Sequence, residues 1–343
     1  MFDDASGTWT VRVTRADGSL EERTCSAVIS AVGQLNRPKL PDIEGRDDFV
    51  GPAFHSARWD ASVDLAGKRV AVIGTGASAA QLIPAVAPEV DHLTVFQRTP
   101  NWLVPTPDYH DAVAPGMVWL LDTIPTYRSW YRLWVWWRSH EGLLSAAIVD
   151  PEWPDHERSV SAINELVRLL LLGYLQEQLG DRPDLLEAST PQYPPIAKRI
   201  IRDNGAWPGA IKRDNVSLVT EGIERITATG VATNDGVHHE VDVIVYGTGF
   251  HASKFLMPMK VIGRGGADLH DTWQGDARAY LGITVPGFPN LFCLYGPNTN
   301  IVINGSIIYF SELEVRYILG CLHLLAEGNH RWLDVKPAVH EAF

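Results

Sequence analysis

A glycine turn in the first quarter of the chain restricts the possible fold more than any other feature. Residues 68–79 read KRVAVIGTGASA, an apolar strand that runs through Gly74, Gly76 and Ala79 into a helical pattern. The first glycine permits a tight turn, the second lets a pyrophosphate approach the backbone, and the alanine allows close packing of helix on strand. The N-terminus of that helix supplies positive potential for an anion. We therefore predict a dinucleotide-binding βαβ unit, in preference to a glycine turn that merely packs.

The end of the second strand of this unit indicates which dinucleotide binds. Residues 92–97 form the strand, and Gln97, Arg98 and Thr99 stand at its end. An acidic residue there would hold the ribose hydroxyl of NAD, whereas an arginine can form charge-assisted hydrogen bonds to a 2′-phosphate. The pattern therefore favours NADP(H), with Arg98 and Thr99 as the selecting residues. The alternative is an arginine that only faces solvent.

Composition narrows the class of protein. The chain has 343 residues and a net charge of −12, which suits roughly two domains and argues against broad nucleic-acid binding. Its three cysteines are widely spaced, which predicts a reducing compartment and neither disulfides nor a metal site. We found no signal peptide and no apolar run long enough to span a bilayer, so we expect a cytoplasmic protein.

Two apolar runs predict strands buried on both faces of a parallel sheet. Residues 8–33 read as a β-hairpin whose second arm ends at Gly33, and residues 223–246 read as a second hairpin whose last strand runs into Gly249. We expect the two terminal strands to pair with each other in a small sheet. Residues 311–326 have the periodicity of an amphipathic helix.

A tryptophan-rich helical region occupies residues 115–180. Trp130, Trp134 and Trp137 recur at helical spacing and should form one face. We expect this face to pack against the nucleotide-binding domain. A wall of a substrate channel and a membrane-surface helix are the alternatives.

The segment 49–60 reads FVGPAFHSARWD and carries a specific pattern. A single histidine in such a loop, taken alone, is more often packed than catalytic. However, the spacing resembles the signature F-x-G-x-x-x-H-x-x-x-W-(P/D) of Baeyer–Villiger monooxygenases at every fixed position, which here are Phe49, Gly51, His55, Trp59 and Asp60. Related flavin monooxygenases that oxygenate nitrogen or sulfur usually lack the Trp-Asp end of this pattern.

Further segments extend the resemblance over nearly the whole chain. Residues 95–102, VFQRTPNW, look like the end of the family's NADPH-binding strand, and residues 31–33 and 247–250 resemble its two "ATG"-type strand ends. The 4-hydroxyacetophenone monooxygenase branch is the most similar, on residues 193–199 (YPPIAKR), 203–205 (DNG), 280–284 (YLGIT), 288–292 (FPNLF) and 296–298 (GPN).

The resemblance implies an α/β fold that combines a Rossmann-like NADP domain, with a helical insertion, and an incomplete FAD-binding domain of the type found in flavoproteins with two dinucleotide-binding domains. No G-x-G-x-x-G precedes residue 67, and the chain stops at Phe343, so we expect truncation at both ends and an incomplete FAD site. The missing N-terminal segment or an oligomeric partner would complete it. The expected divisions are a FAD-domain remnant at 1–46, a linker at 47–66, the NADP domain at 67–222 with its insertion at about 105–195, and the returning FAD domain at 223–343.

The resemblance also implies the reaction and its residues. NADPH and FAD would support insertion of one oxygen atom of O₂ next to a ketone carbonyl, giving an ester or lactone. Arg199 would stabilise an anionic oxygen intermediate, Lys198 would assist at the nicotinamide cofactor, and His55 would couple domain motion to turnover. Gly33, Gly249 and Asn298 complete the expected cofactor contacts.

Three alternatives stay open on sequence alone. Lys198 and Arg199 would, by spacing alone, form a basic pair on a solvated loop. The protein could be a flavin monooxygenase that oxidises nitrogen or sulfur, or a non-catalytic NADP-binding remnant.

Overall fold

The structure, a computed structural model, describes residues 1–140, 144–301, 305–328 and 330–343. The strands are β1 (Phe2–Asp3), β2 (Thr8–Thr14), β3 (Leu20–Cys25), β4 (Val28–Ser30), β5 (Ala53–His55), β6 (Arg69–Ile73), β7 (His92–Phe96), β8 (Leu103–Pro105), β9 (Ile201–Asp203), β10 (Val216–Val219), β11 (Ile223–Thr227), β12 (Gly230–Thr233), β13 (His238–Glu240), β14 (Val243–Tyr246) and β15 (Leu291–Cys293). The helices are α1 (Ala77–Val86), α2 (Pro115–Thr123), α3 (Tyr127–His140), α4 (Leu144–Ala147), α5 (Ala162–Leu179), α6 (Pro183–Ser189), α7 (Ala206–Ile211), α8 (Leu269–Trp273), α9 (Ile307–Glu327) and α10 (Pro337–Ala342).

The described chain divides into two compact units. The central unit is Pro38–Gly249, and the terminal unit comprises Met1–Arg37, Phe250–Ile301 and Gly305–Phe343. These bounds differ from the divisions predicted after residues 46 and 222. The physical reason is long-range pairing: β14 inserts into the sheet of the central unit, and Ile226 donates a backbone hydrogen bond of 2.8 Å to the Glu44 carbonyl. These contacts place residues 38–46 and 223–249 in the same unit as the glycine turn at Gly74.

A parallel sheet of five strands organises the described part of the central unit, in the order β10-β7-β6-β14-β5. Alternate residues of β6 point to opposite faces, as they must in a strand. Val70 and Val72 join a core with Ile83 of α1, whereas Ala71 and Ile73 join a core with residues of β11 and β12. The βαβ unit predicted from β6, α1 and β7 is thus present, and it is buried on both faces as a parallel sheet requires.

The predicted pairing of the strands that end near Gly33 and Gly249 is wrong. β14 pairs with β5 and β6, whereas β4 pairs in parallel with β15, with Val28 opposite Leu291. β4 is also shorter and more exposed than its apolar sequence suggests, because the Ile29 side chain is 46% exposed. The predicted first hairpin is confirmed by the antiparallel pairing of β2 with β3.

Helices α2 to α6 lie between β8 and β9 in the chain, where the helical insertion was expected. The prediction that their tryptophans pack against the nucleotide-binding domain is wrong, because Trp130, Trp134 and Trp137 are 67%, 51% and 56% exposed. That face of the sheet is already filled by other residues, among them Leu175 and Leu179 of α5. The spacing of these tryptophans therefore indicates a helix, but it does not mark a buried face.

The terminal unit has its own apolar core. Trp9 of β2 packs with Leu269 and Trp273 of α8, and its indole N–H donates a hydrogen bond of 2.8 Å to the Pro289 carbonyl. The amphipathic helix predicted at 311–326 is confirmed as the longer α9. Among the described helices, none has both the length and the apolar character needed to cross a membrane.

Candidate functional site

The glycine turn joins β6 to α1 at the carboxyl edge of the parallel sheet. Gly74 has φ +102°, and a Cβ there would lie 2.6 Å from the Gly247 carbonyl oxygen. A Cβ on Gly247 would in turn lie 3.0 Å from the Cβ of Ala79, which is fully buried. Small residues at these positions let the ends of β6, β14 and α1 approach closely. Gly74 and Ala79 therefore have the packing roles expected of them.

Gly76 differs from Gly74 because no protein contact requires a glycine there. Its φ and ψ, −63° and 179°, suit any residue, and an added Cβ would meet no atom within 4 Å. It caps α1, and no side chain among the described residues accepts a hydrogen bond from the first amides of this helix. Free amides and an open approach are what a phosphate group needs at a helix N-terminus. The turn thus fits the pyrophosphate of a dinucleotide.

The segment after β7 is locked to the glycine turn by side chains. The Asn101 side-chain amide donates a hydrogen bond of 2.6 Å to the Thr75 carbonyl, and the Thr75 hydroxyl donates one of 3.5 Å to the Thr99 carbonyl. Gln97 is buried and donates 2.8 Å to the Ala188 carbonyl at the end of α6. Arg98 between them is exposed and makes no hydrogen bond or ion pair with the described residues. Its guanidinium is available to a phosphate at this edge.

Sequence reasoning missed three residues of this arrangement: Thr75, Asn101 and Gly247. Each lies inside a segment that had already been singled out, Thr75 between the two glycines and Asn101 in VFQRTPNW. A polar side chain two residues after Thr99 was the available signal for Asn101. Gly247 could not be recognised as a neighbour of Gly74, because that contact depends on the pairing of β14 with β6.

The candidate basic pair lies on a loop that is tied to the same segment. The Tyr193 hydroxyl donates a hydrogen bond of 3.0 Å to the Pro100 carbonyl, and the Trp102 indole N–H donates one of 2.9 Å to the Tyr193 carbonyl. The Lys198 ammonium lies 4.4 Å from the centre of the Tyr193 ring, a cation–π contact. Arg199 is exposed and forms no hydrogen bond or ion pair within the part of the chain that the structure describes.

The signature residues around His55 build the loop that holds it. A Cβ on Gly51 would lie 2.6 Å from the Asp242 carbonyl and 2.7 Å from the Phe49 ring. Trp59 packs edge-on against Phe54, with ring centres 5.1 Å apart. The Asp60 carboxylate accepts hydrogen bonds from the backbone N–H and the hydroxyl of Ser62, at 3.0 and 2.6 Å, and so closes a tight turn.

His55 itself is 4% exposed and connects this loop to the end of the central unit. Its Nδ1 accepts a 3.1 Å hydrogen bond from the Ala57 N–H, so the proton lies on Nε2, which donates 2.9 Å to the Gly249 carbonyl. The same carbonyl accepts from the Lys39 N–H at 2.9 Å. Gly249 has φ +80° and is the last residue of the unit. Burial lowers the pKa of His55, which keeps the ring neutral.

The neutral state of His55 predicts a pH-dependent stability. The pKa of His55 in the folded protein is below its ordinary value of 6.5. The neutral ring therefore contributes its full stabilisation of the fold above pH 6.5, and this contribution is lost as the pH falls through the folded pKa. Between pH 7.5 and 5.0, we expect wild type to lose more unfolding free energy than His55→Gln, which keeps a donor for Gly249. Urea unfolding measures the difference. His156→Gln, at an exposed histidine, is the control, and an equal pH slope in wild type and His55→Gln would contradict the prediction.

The two remaining predicted cofactor residues lie in the terminal unit. Gly33 has φ +64°, with its Cβ position 3.7 Å from the Tyr295 ring, and Gln34 donates 3.1 Å to the Tyr295 hydroxyl. Asn298 follows in the same loop with φ +63° and is exposed. The structure thus brings the Gly33 turn and the Asn298 loop together. Among the described residues of this unit, no second strand–glycine turn–helix of the kind formed by β6, Gly74 and α1 occurs.

No group of three or more potential metal ligands occurs among the described residues.

Comparison with known proteins shows which families this chain resembles. The family described as Flavin-binding monooxygenase-like matches residues 2–111. An uncharacterized monooxygenase of Sinorhizobium fredii is 40% identical over 343 residues, which are all of this chain and 52% of that protein. A Baeyer-Villiger monooxygenase of Pseudomonas aeruginosa is 36% identical over all of this chain and 61% of its own length.

A solved structure shows the same relationship. Cyclohexanone monooxygenase from Rhodococcus sp. Phi1, bound to NADP+, superposes with a TM-score of 0.73 at 30% identity, over 99% of this chain and 67% of that one. The chain thus spans between about half and two thirds of the length of these relatives.

Proposed function

This chain belongs to the flavin-binding monooxygenase-like family, and from that premise we propose that it is a Baeyer–Villiger monooxygenase that depends on NADPH and FAD. The observation that carries the proposal is the open backbone at Gly76, which follows β6, together with Arg98, which follows the neighbouring strand β7 and has no hydrogen-bond or ion-pair partner among the described residues. The substrates would be a ketone and O₂, and the product would be an ester or lactone. Within the family, the segments 193–199 and 280–284 favour the 4-hydroxyacetophenone monooxygenase branch.

The residues of the central unit would hold NADPH in a defined way. The amides at the start of α1 would bind the pyrophosphate, and Gly76 would leave room for it. Arg98 would form charge-assisted hydrogen bonds to the 2′-phosphate, and Thr99, held by Thr75, would border the same group. NADPH should therefore bind more tightly than NADH.

The basic pair would act where charge develops during oxygen transfer. A bound flavin supplies the chemistry that activates O₂. The Arg199 guanidinium stays protonated at any working pH and would stabilise negative charge on oxygen. Lys198, placed by its contact with Tyr193, would assist at the nicotinamide or its phosphate. His55 would hold the point where the chain leaves the central unit and so couple movement there to turnover.

Product analysis tests the proposal directly. The purified chain, supplemented with FAD, is incubated with NADPH, O₂ and either 4-hydroxyacetophenone or cyclohexanone, and in parallel with methyl phenyl sulfide. We expect ester or lactone from the ketones, with one NADPH oxidised per product, and slower reaction with NADH. Gas chromatography with mass spectrometry identifies the products.

The other outcomes separate the alternatives. Sulfoxide without ester or lactone would assign the chain to the monooxygenases that oxidise nitrogen or sulfur. NADPH binding without flavin binding or product would support a non-catalytic NADP-binding remnant. Failure to bind NADPH at all would overturn the assignment of the glycine turn.

A further inference from the structure

A second cleft in the central unit is separate from the nucleotide turn. It has a volume of about 390 Å³, within the usual range of small-molecule sites. We call it the Arg58 cleft. Its lining residues are Pro38, Leu40, Arg46, Asp47, Ala53, Phe54, His55, Arg58 and Tyr246. Gly74, Gly76 and Arg98 are not among them, so the cleft does not include the residues assigned to the pyrophosphate and the 2′-phosphate.

The cleft contains a buried hydroxyl without a hydrogen bond. Tyr246 is 3% exposed, and its hydroxyl oxygen is buried with no hydrogen-bond partner among the described residues. Buried polar groups in proteins are nearly always hydrogen-bonded, because leaving one unpaired costs free energy. The Tyr246 hydroxyl is thus an unused donor at the wall of the cleft, which an acceptor bound there would satisfy.

The charges of the lining residues define what kind of acceptor fits. Arg46 is held by Asp47 through two hydrogen bonds of 3.0 and 3.1 Å, so these two charges largely cancel. Arg58 is exposed and forms no hydrogen bond or ion pair within the described residues. His55 is neutral because Nδ1 accepts from the Ala57 N–H. One unbalanced positive charge remains, on a guanidinium whose planar fork matches a carboxylate.

The rest of the cleft is apolar. Pro38, Leu40 and Phe54 contribute hydrocarbon and aromatic surface to its walls, and the Leu40 side chain is 43% exposed. A ligand with one anionic end and an apolar body would therefore satisfy both parts of the surface.

We propose that the Arg58 cleft binds a small organic carboxylate, with its anionic group on Arg58 and the Tyr246 hydroxyl and its apolar body against Phe54 and Leu40. This site goes beyond the proposed function, because neither NADPH nor a neutral ketone carries a carboxylate. Its test does not depend on bound flavin or on turnover.

Calorimetric titration of the full 343-residue chain with benzoate tests the proposal, with benzamide as the uncharged isostere. We expect benzoate to bind at least about tenfold more tightly than benzamide, as the loss of a charge-assisted pair implies. Arg58→Met should weaken benzoate binding by about tenfold and Tyr246→Phe by about threefold. Arg316→Met, at an exposed arginine in the terminal unit, should leave binding unchanged.

The controls separate loss of benzoate binding from loss of folding and from competition by the dinucleotide. The Tyr246→Phe variant should fold normally, since its hydroxyl has no partner to lose, and melting curves of all variants verify the fold. Saturating NADP+ should not displace benzoate. Absence of benzoate binding, equal affinity in Arg58→Met, or competition by NADP+ would each overturn the proposal.

Discussion

The Gly76→Ser variant is expected to fold with the stability of wild type and to bind NADPH at least about tenfold more weakly, a loss of about 1.4 kcal/mol. A serine Cβ meets no protein atom at this position, and serine is a better helix N-cap than glycine. The side chain would occupy the approach of the pyrophosphate, and its oxygen would accept from the amides that the phosphate needs. Fluorescence titration with NADPH and urea unfolding measure the two effects separately.

The neighbouring Gly74→Ala variant should behave in the opposite way. Its φ of +102° and the 2.6 Å approach of the Gly247 carbonyl leave no room for a methyl group. We expect a loss of about 3 kcal/mol in unfolding free energy. Gly173→Ala, inside α5 with no atom near its Cβ position, is the matched control and should be neutral or slightly stabilising. If Gly76→Ser bound NADPH as wild type does, the turn would have only a packing role.

The Arg199→Ala variant should lose about 10²- to 10³-fold in the rate of ester or lactone formation, as expected when a group that stabilises developing negative charge is removed. Arg199 is exposed and makes no hydrogen bond or ion pair within the described residues, so its removal should change stability by less than about 0.5 kcal/mol. NADPH affinity should also be retained. The rate is measured in the FAD-supplemented assay, and affinity and stability on the same preparations.

Two further variants make this result specific. Arg199→Lys should recover little of the rate, because an ammonium lacks the planar fork of the guanidinium. Arg202→Ala, at an exposed arginine on β9, should react like wild type. A rate for Arg199→Ala within threefold of wild type would leave Arg199 as an arginine on a solvated loop.

The candidate site was predictable where its residues are close in sequence. Gly74, Gly76 and Ala79 lie within one turn and helix start, and Arg98 follows the next strand, so a single βαβ unit places them all. His55 was recognised through its signature, but its hydrogen bond to Gly249 joins residues 194 positions apart. Similarly long separations in sequence hid the contact of Gly247 with Gly74 and the Arg58 cleft, where β14 brings Tyr246 beside His55.

The tryptophans of α3 show the limit of periodicity. The spacing of Trp130, Trp134 and Trp137 correctly indicated a helix, yet it did not indicate burial. A helical repeat describes which residues share a face, and the neighbouring elements decide whether that face is covered. Here residues of α1, α5 and α7 already fill the sheet surface.

Local sequence was thus sufficient to predict the βαβ unit with its glycine turn and the first hairpin, because short-range sterics and strand–turn–helix order govern them. The tertiary structure alone decided that β14 joins the central sheet, that β4 pairs with β15, and that the chain divides at residues 37 and 249. An apolar strand has no intrinsic preference among possible partners. The choice depends on which faces the rest of the chain can bury, and that is a property of the whole fold.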